Sequence, residues 1–114
     1  MKAALFFYLS KGISLSDHES NPDYELLRIY KREKPVFTQG LYWHEGRLLE
    51  SGGMYGISSL SWLELEEGEG NQGHARPVQS TLIEPKYFAE GITLLDDTVY
   101  MLTWQEKKIL TFDL

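Results

Sequence analysis

The chain contains no cysteine. That absence removes thiolate nucleophiles, zinc ribbons and disulfides together, and leaves the redox compartment undetermined. Basic residues are also scarce: 11 Lys and Arg stand against 17 Asp and Glu, for a formal net charge of -6. They are scattered along the chain, so the electrostatic footprint of a nucleic-acid partner is missing. No apolar run approaches the ~20 residues that a bilayer span requires. The best candidate, Ala3 to Leu9 behind Lys2, reads as a vestigial signal peptide or as an N-terminal strand. His18, His44 and His74 lie too far apart for a paired metal motif on one element. They are expected to be solvated loop residues, with no metal and no other cofactor.

What is present is the composition of a soluble globular domain, 42% hydrophobic, 13% aromatic and 25% charged, in a chain of 114 residues that holds one domain at most. Ser14 to Ser20, with Asp17 and Glu19 and then Asn21 and Pro22, reads as a polar linker, so organised structure is expected to start near Tyr24. Residues 1–23 are therefore assigned to an N-terminal leader or linker and residues 24–114 to the folded part.

From Tyr24 onward the apolar residues come in short runs bounded by Gly, Asp and Glu, without the 3.6-residue period of a helix. The expected strands are Tyr24–Tyr30, Phe37–His44, Arg47–Ser51, Ser58–Leu65, Gly91–Leu95, Thr98–Trp104 and Lys108–Leu114. Glu66 to Ser80, with Gly68, Gly70, Asn71, Gly73 and Pro77, has the composition of a loop. Its carboxylates, together with Glu64, are expected to form a solvated face.

An internal repeat organises these strands. A shift of 51 residues places Phe37-Thr38-Gln39-Gly40-Leu41 over Phe88-Ala89-Glu90-Gly91-Ile92, and Glu45-Gly46-Arg47-Leu48-Leu49 over Asp96-Asp97-Thr98-Val99-Tyr100. After a slightly shorter turn, Leu60–Leu65 lies over Ile109–Leu114. An all-strand repeat of this length is the signature of a propeller blade, in which the innermost strand of each blade lines the central channel. Gln39 and Glu90 then stand side by side at equivalent positions. Each is preceded by an aromatic residue, Phe37 or Phe88, and followed by Gly40 or Gly91, which would let the backbone pass close to a bound group.

These residues carry a family resemblance. Phe37–Leu41, Leu49–Leu60, Phe88–Leu95 and Tyr100–Trp104, in that order, closely resemble the plant and bacterial type glutamine cyclotransferases, which are five-bladed propeller glutaminyl cyclases. The resemblance covers about Tyr24 to Leu114. The family's usual His-Asp pair is replaced by Lys31-Arg32-Glu33-Lys34, its Glu-Ser-Thr-Gly reads Glu50-Ser51-Gly52-Gly53, and the Glu66–Ser80 connection is longer than usual. The resemblance implies an all-β, partial five-bladed β-propeller of about two blades, an incomplete or truncated form. It is also compatible with a secretory or periplasmic location.

The activity implied is glutaminyl-peptide cyclotransfer, in which an N-terminal glutamine of a peptide or protein closes to pyroglutamate and releases ammonia. By resemblance Glu90 is the catalytic carboxyl, its pKa raised by aromatic surroundings so that it can accept the amine proton and pass it on. Gln39 binds the substrate amide, and Phe37, Phe88 and Trp104 wall the site, with Trp104 facing Glu90. Glu50 is assigned a structural hydrogen-bonding role. Two alternatives stand beside the enzyme: a non-catalytic propeller fragment that binds peptide N-termini, and a product without independent function. Self-association is expected where blade edges are left uncovered.

Overall fold

The computed structural model describes the backbone of residues 6–8 and the whole of residues 26–114. Among the described residues the fold is all-β, with no helix. The strands are β1 (Phe6–Tyr8), β2 (Ile29–Lys31), β3 (Thr38–His44), β4 (Arg47–Gly52), β5 (Ser59–Glu67), β6 (Gln72–Leu82), β7 (Ala89–Leu95), β8 (Thr98–Thr103) and β9 (Ile109–Asp113). Strand β1 falls inside the apolar stretch Ala3–Leu9, ahead of the expected onset of structure at Tyr24. Tyr24 itself, the linker Ser14–Pro22 and His18 lie outside the described residues.

The chain divides into two compact units, one running to Pro35 and including Leu65–Arg76, the other made of Val36–Glu64 and Pro77–Leu114. In the first, β2 pairs in parallel with β1 and with the start of β6, Ile29 opposite Gln72 and Lys31 opposite His74. Tyr30 is buried there and donates to Glu67 Oε1 at 3.2 Å, Arg28 pairs with Glu67, and Arg76 Nε meets Glu66 Oε1 at 2.6 Å. Glu66, Glu67 and Glu69 are exposed, and two of these carboxylates are paired on the surface.

The expected loop Glu66–Ser80 is instead the end of β5, a tight turn and most of β6. The breakers are concentrated in that turn: Gly70 takes a φ of 63°, and Gly68 N donates to Gln72 O. Beyond it Gly73 and Ala75 are buried while His74 and Arg76 are exposed, the period-2 alternation of a strand. Pro77 is tolerated because it lies past the residues that pair with β2, where one edge of β6 needs no donor. His74 on β6 and His44 on β3 thus lie on strands, not in loops.

The second unit carries the repeat. Strands β3, β4 and β5 are antiparallel in chain order, and so are β7, β8 and β9. The equivalence extends to the backbone: Glu45 and Asp96, at matching hairpin turns, both have positive φ, 46° and 51°. At the first turn Gly46 follows with φ 80°, so both central residues are left-handed, the twist a tight hairpin prefers.

Leu49, Leu60, Trp62, Ile83, Ala89, Val99 and Met101 form the core between these two groups of strands, flanked by Tyr42, Ile92, Leu94 and Phe112. Each large aliphatic side chain fully buried here contributes roughly 1.5–3 kcal/mol relative to exposure. On β4 every residue from Leu48 to Gly52 is buried, whereas β8 alternates, with Val99, Met101 and Thr103 buried and Tyr100 and Leu102 exposed.

Candidate functional site

Both repeats break register at the same place. In β3, Thr38 pairs with Gly52 and Gly40 with Ser51, so Gln39 has no cross-strand partner of its own. In β7, Ala89 pairs with Thr103 and Ile92 with Met101, so Glu90 and Gly91 share the space opposite Leu102. Such bulges bend a strand and re-aim side chains, and they concentrate beside active sites. Gln39 and Glu90 are both half-buried.

Close approach of backbone to backbone explains two glycines. A Cβ on Gly40 would sit 2.8 Å from Ile92 N and from Ser51 Oγ, so a side chain here would force β3 away from β7. A Cβ on Gly53 would collide with Ala89 O and the Phe88 ring and sit 2.8 Å from Gln39 Cγ. Gly40 is thus required for contact within the protein. Gly91 faces open space.

Four aromatic rings gather around this point. Phe88 is buried and lies 6.2 Å from Phe37, 5.4 Å from Tyr55 and 5.5 Å from Trp104, all edge-to-face. These separations fall in the favourable range for aromatic pairs. The outer three rings remain 59%, 44% and 55% exposed. Apolar surface held open around a buried ring is the usual mark of a binding face. The backbone fixes the arrangement: Trp104 N donates to Phe88 O at 3.0 Å and Gly53 N to Phe37 O at 2.8 Å.

The structure brings Phe37, Phe88 and Trp104 into one cluster and sets Gln39 against Gly53 at its side. Trp104 packs on Phe88 and Tyr55. Glu90 is held through its main chain, since Ser51 Oγ donates to Glu90 O at 2.6 Å. Ser51 is fully buried on β4, so the first repeat grips the second at this residue. Glu50, buried beside it, accepts from Thr38 Oγ1 at 2.6 Å.

Three further residues were not apparent from the sequence as parts of the site. The buried Ser58 hydroxyl donates to Met54 O at 2.8 Å and accepts from Met54 N at 3.0 Å and from Ala89 N at 3.1 Å. That fills its one donor and two acceptor places. Tyr55 Oη donates to Glu106 Oε1 at 2.5 Å. This bond holds the Glu106 carboxyl below its usual range and, with the adjacent charge, pushes the Tyr55 phenol above its own. Tyr55 and Glu106 lie in the turns that follow β4 and β8, where the spacing of the two repeats changes from 51 to 49 residues, so the repeat by itself did not single them out. Among the described residues no three His, Asp or Glu side chains gather as a metal site would need.

The glutamine cyclotransferase family model matches residues 3–114, nearly the whole chain. The chain belongs to the glutamine cyclotransferase family. It is 30% identical over 106 residues to the glutaminyl-peptide cyclotransferase of Arabidopsis thaliana, an alignment that covers 92% of this chain and 31% of that protein. The chain therefore spans about a third of the length of this curated relative. The matched span of residues 3–114 takes in both register breaks and all four rings of the cluster.

Proposed function

We propose that this chain supplies the first two blades of a five-bladed glutaminyl-peptide cyclotransferase, with Gln39, Glu90 and the aromatic cluster as the heart of its site. The observation that carries the reading is the paired register break, which falls at Gln39 in β3 and at Glu90 in β7, the residues that match each other in the repeat. The substrate is a peptide or protein with N-terminal glutamine.

In the reaction the α-amine attacks the side-chain carbonyl carbon, forming the ring C–N bond. The bond to the side-chain nitrogen then breaks, and ammonia leaves. A free α-amine titrates near ~8, so part of it is already neutral at physiological pH, and the harder step is protonation of the departing nitrogen. Glu90 takes the proton shed by the attacking amine and returns it to the leaving group. Gln39 holds the substrate's amide or backbone. Phe37, Phe88 and Trp104 fix the folded side chain in closing geometry and limit water around the developing charge.

The test is a chimera in which this chain replaces the matching third of the Arabidopsis protein, assayed for ammonia release from a glutamine-starting peptide. The chimera is expected to turn over, and Glu90→Gln, which keeps size but not the titrating proton, should slow it by about 100- to 10,000-fold with little change in peptide affinity. A Glu90→Gln chimera as fast as its parent would overturn the assignment. Uncovered apolar surface on the second repeat further supports self-association of the isolated chain.

A further inference from the structure

The cyclisation scheme leaves one bonded pair of this cluster unused, from the turns that follow β4 and β8. Tyr55 and Glu106 stand 51 residues apart, as do Gln39 and Glu90, and they touch directly. The Tyr55 ring meets Phe88 edge-on at 5.4 Å and lies tilted against Trp104 at 6.5 Å. While Glu106 Oε1 accepts the phenol, Glu106 Oε2 faces Phe88 N at 3.5 Å, two residues before Glu90. One carboxylate thus spans a ring of the first repeat and the entry to the strand that carries Glu90.

The base of the Tyr55 side chain is equally constrained. Ile57 N closes a turn onto Met54 O at 3.1 Å, Gly56 takes the left-handed φ of 84° that the turn requires, and Ser58 clasps Met54 through both its N–H and its carbonyl. With the backbone fixed, the remaining freedom of the ring is rotation of the side chain itself. A short O–H···O⁻ bond is the strongest class available to restrain it. Without that bond a ring this exposed would recover rotamer entropy by swinging into water.

We propose that Tyr55 is a further wall of the site that receives the glutaminyl side chain, and that Glu106 is the positioning residue that aims it at Phe88 and Trp104. The proposal rests on the functional reading above and adds a ring to it. The flat face of Tyr55 covers the methylenes of the bound side chain. Both ends of the link keep their bonding charge states through the neutral range, because the carboxyl titrates below its normal range and the phenol above.

The experiment uses the full chain with Tyr55→Phe, Glu106→Gln, the double variant and Tyr55→Ala. The first readout is the indole N–H signal of Trp104 in a nitrogen-15 correlation spectrum, assigned with Trp104→Phe. Both single variants should shift it, and the double should match the singles because all three cut one link. The second is calorimetric affinity for a glutamine-starting peptide. Each single variant is expected to weaken it by roughly 2- to 10-fold, the worth of an aromatic contact, with no further loss in the double and at least as large a loss in Tyr55→Ala. Additive losses, or a Trp104 signal unmoved by Tyr55→Phe, would overturn the proposal. If the parent binds the peptide while Tyr55→Phe, Glu106→Gln and Tyr55→Ala all bind equally well, Tyr55 is no wall, Glu106 positions nothing, and the functional reading stands. If the parent binds it no better than the same peptide starting with alanine and the chimera described above does not turn over, the functional reading itself fails.

Discussion

At the scale of single residues, the site depends on atoms that leave no room for change. Gly53 is the sharpest case, because any side chain there meets the Ala89 carbonyl and the Phe88 ring. Gly53→Ala is expected to displace Phe88 and to weaken peptide binding about as much as Trp104→Ala, which calorimetry on the two variants would check; equal affinity for parent and Gly53→Ala would show that the cluster tolerates the shift. Gln39→Ala should raise KM more than it lowers kcat, the reverse of Glu90→Gln, since an amide that only holds substrate acts on binding and transition state alike. The Tyr55–Glu106 link has its own pH signature. Glu106 titrates lower when folded, so the stability it contributes is present above the usual carboxylate range and is lost as pH falls through its lowered value. Tyr55 titrates higher when folded, so its contribution holds below the usual phenol range and is lost as pH rises through its raised value. Denaturant midpoints measured across pH should therefore show Tyr55→Phe losing both limbs relative to the parent. The repeat and the family motifs singled out Phe37, Gln39, Phe88, Glu90 and Trp104, and of these Phe37, Phe88 and Trp104 meet in one cluster. Tyr55 and Glu106, Ser51 and Ser58 were not singled out, because what they do depends on a partner 51, 39 or 31 residues away in sequence.

At the scale of elements, the hairpins were readable because each turn carries its own chemistry and each strand its own period. Strands β3, β4, β5, β7, β8 and β9 fall within a residue or two of their expected limits. Strand β6 was missed because Gly and Pro were weighed by composition rather than by position, and its glycines either sit in the turn or, as Gly73, pack against the Tyr30 ring. The join between the repeats is also an element-scale property. Ser58 closes the Met54–Ile57 turn and receives the first amide of β7, so Ser58→Ala strands the Met54 and Ala89 amides. A loss of ~1–3 kcal/mol per buried unsatisfied group is expected, seen in chemical denaturation, together with faster exchange of the Ala89 amide than of the Val99 amide. Unchanged protection at Ala89 would mean that the turn and β7 are held by packing alone.

At the scale of the whole molecule, the two repeats differ in what covers them. Leu49, Ser51 and Leu60 are 1%, 0% and 9% exposed, whereas their equivalents Tyr100, Leu102 and Ile109 are 36%, 52% and 62% exposed. A face that is buried in one repeat and open in the next invites a further sheet, and a second copy of the chain can provide it. Sedimentation velocity of the 114-residue chain should show association that rises with concentration and falls in Leu102→Lys and Ile109→Lys. A dilute monomer with a cooperative melt would count against it. The sequence by itself determined the six strands of the two repeats, the repeat and the family, since local period, turn residues and motif order are written along the chain. The tertiary structure alone decided which side chains share the aromatic cluster, that Gly40 serves the approach of β3 to β7, and that Glu106 accepts the Tyr55 phenol. Those relations come from packing between residues distant in sequence, which no local pattern encodes.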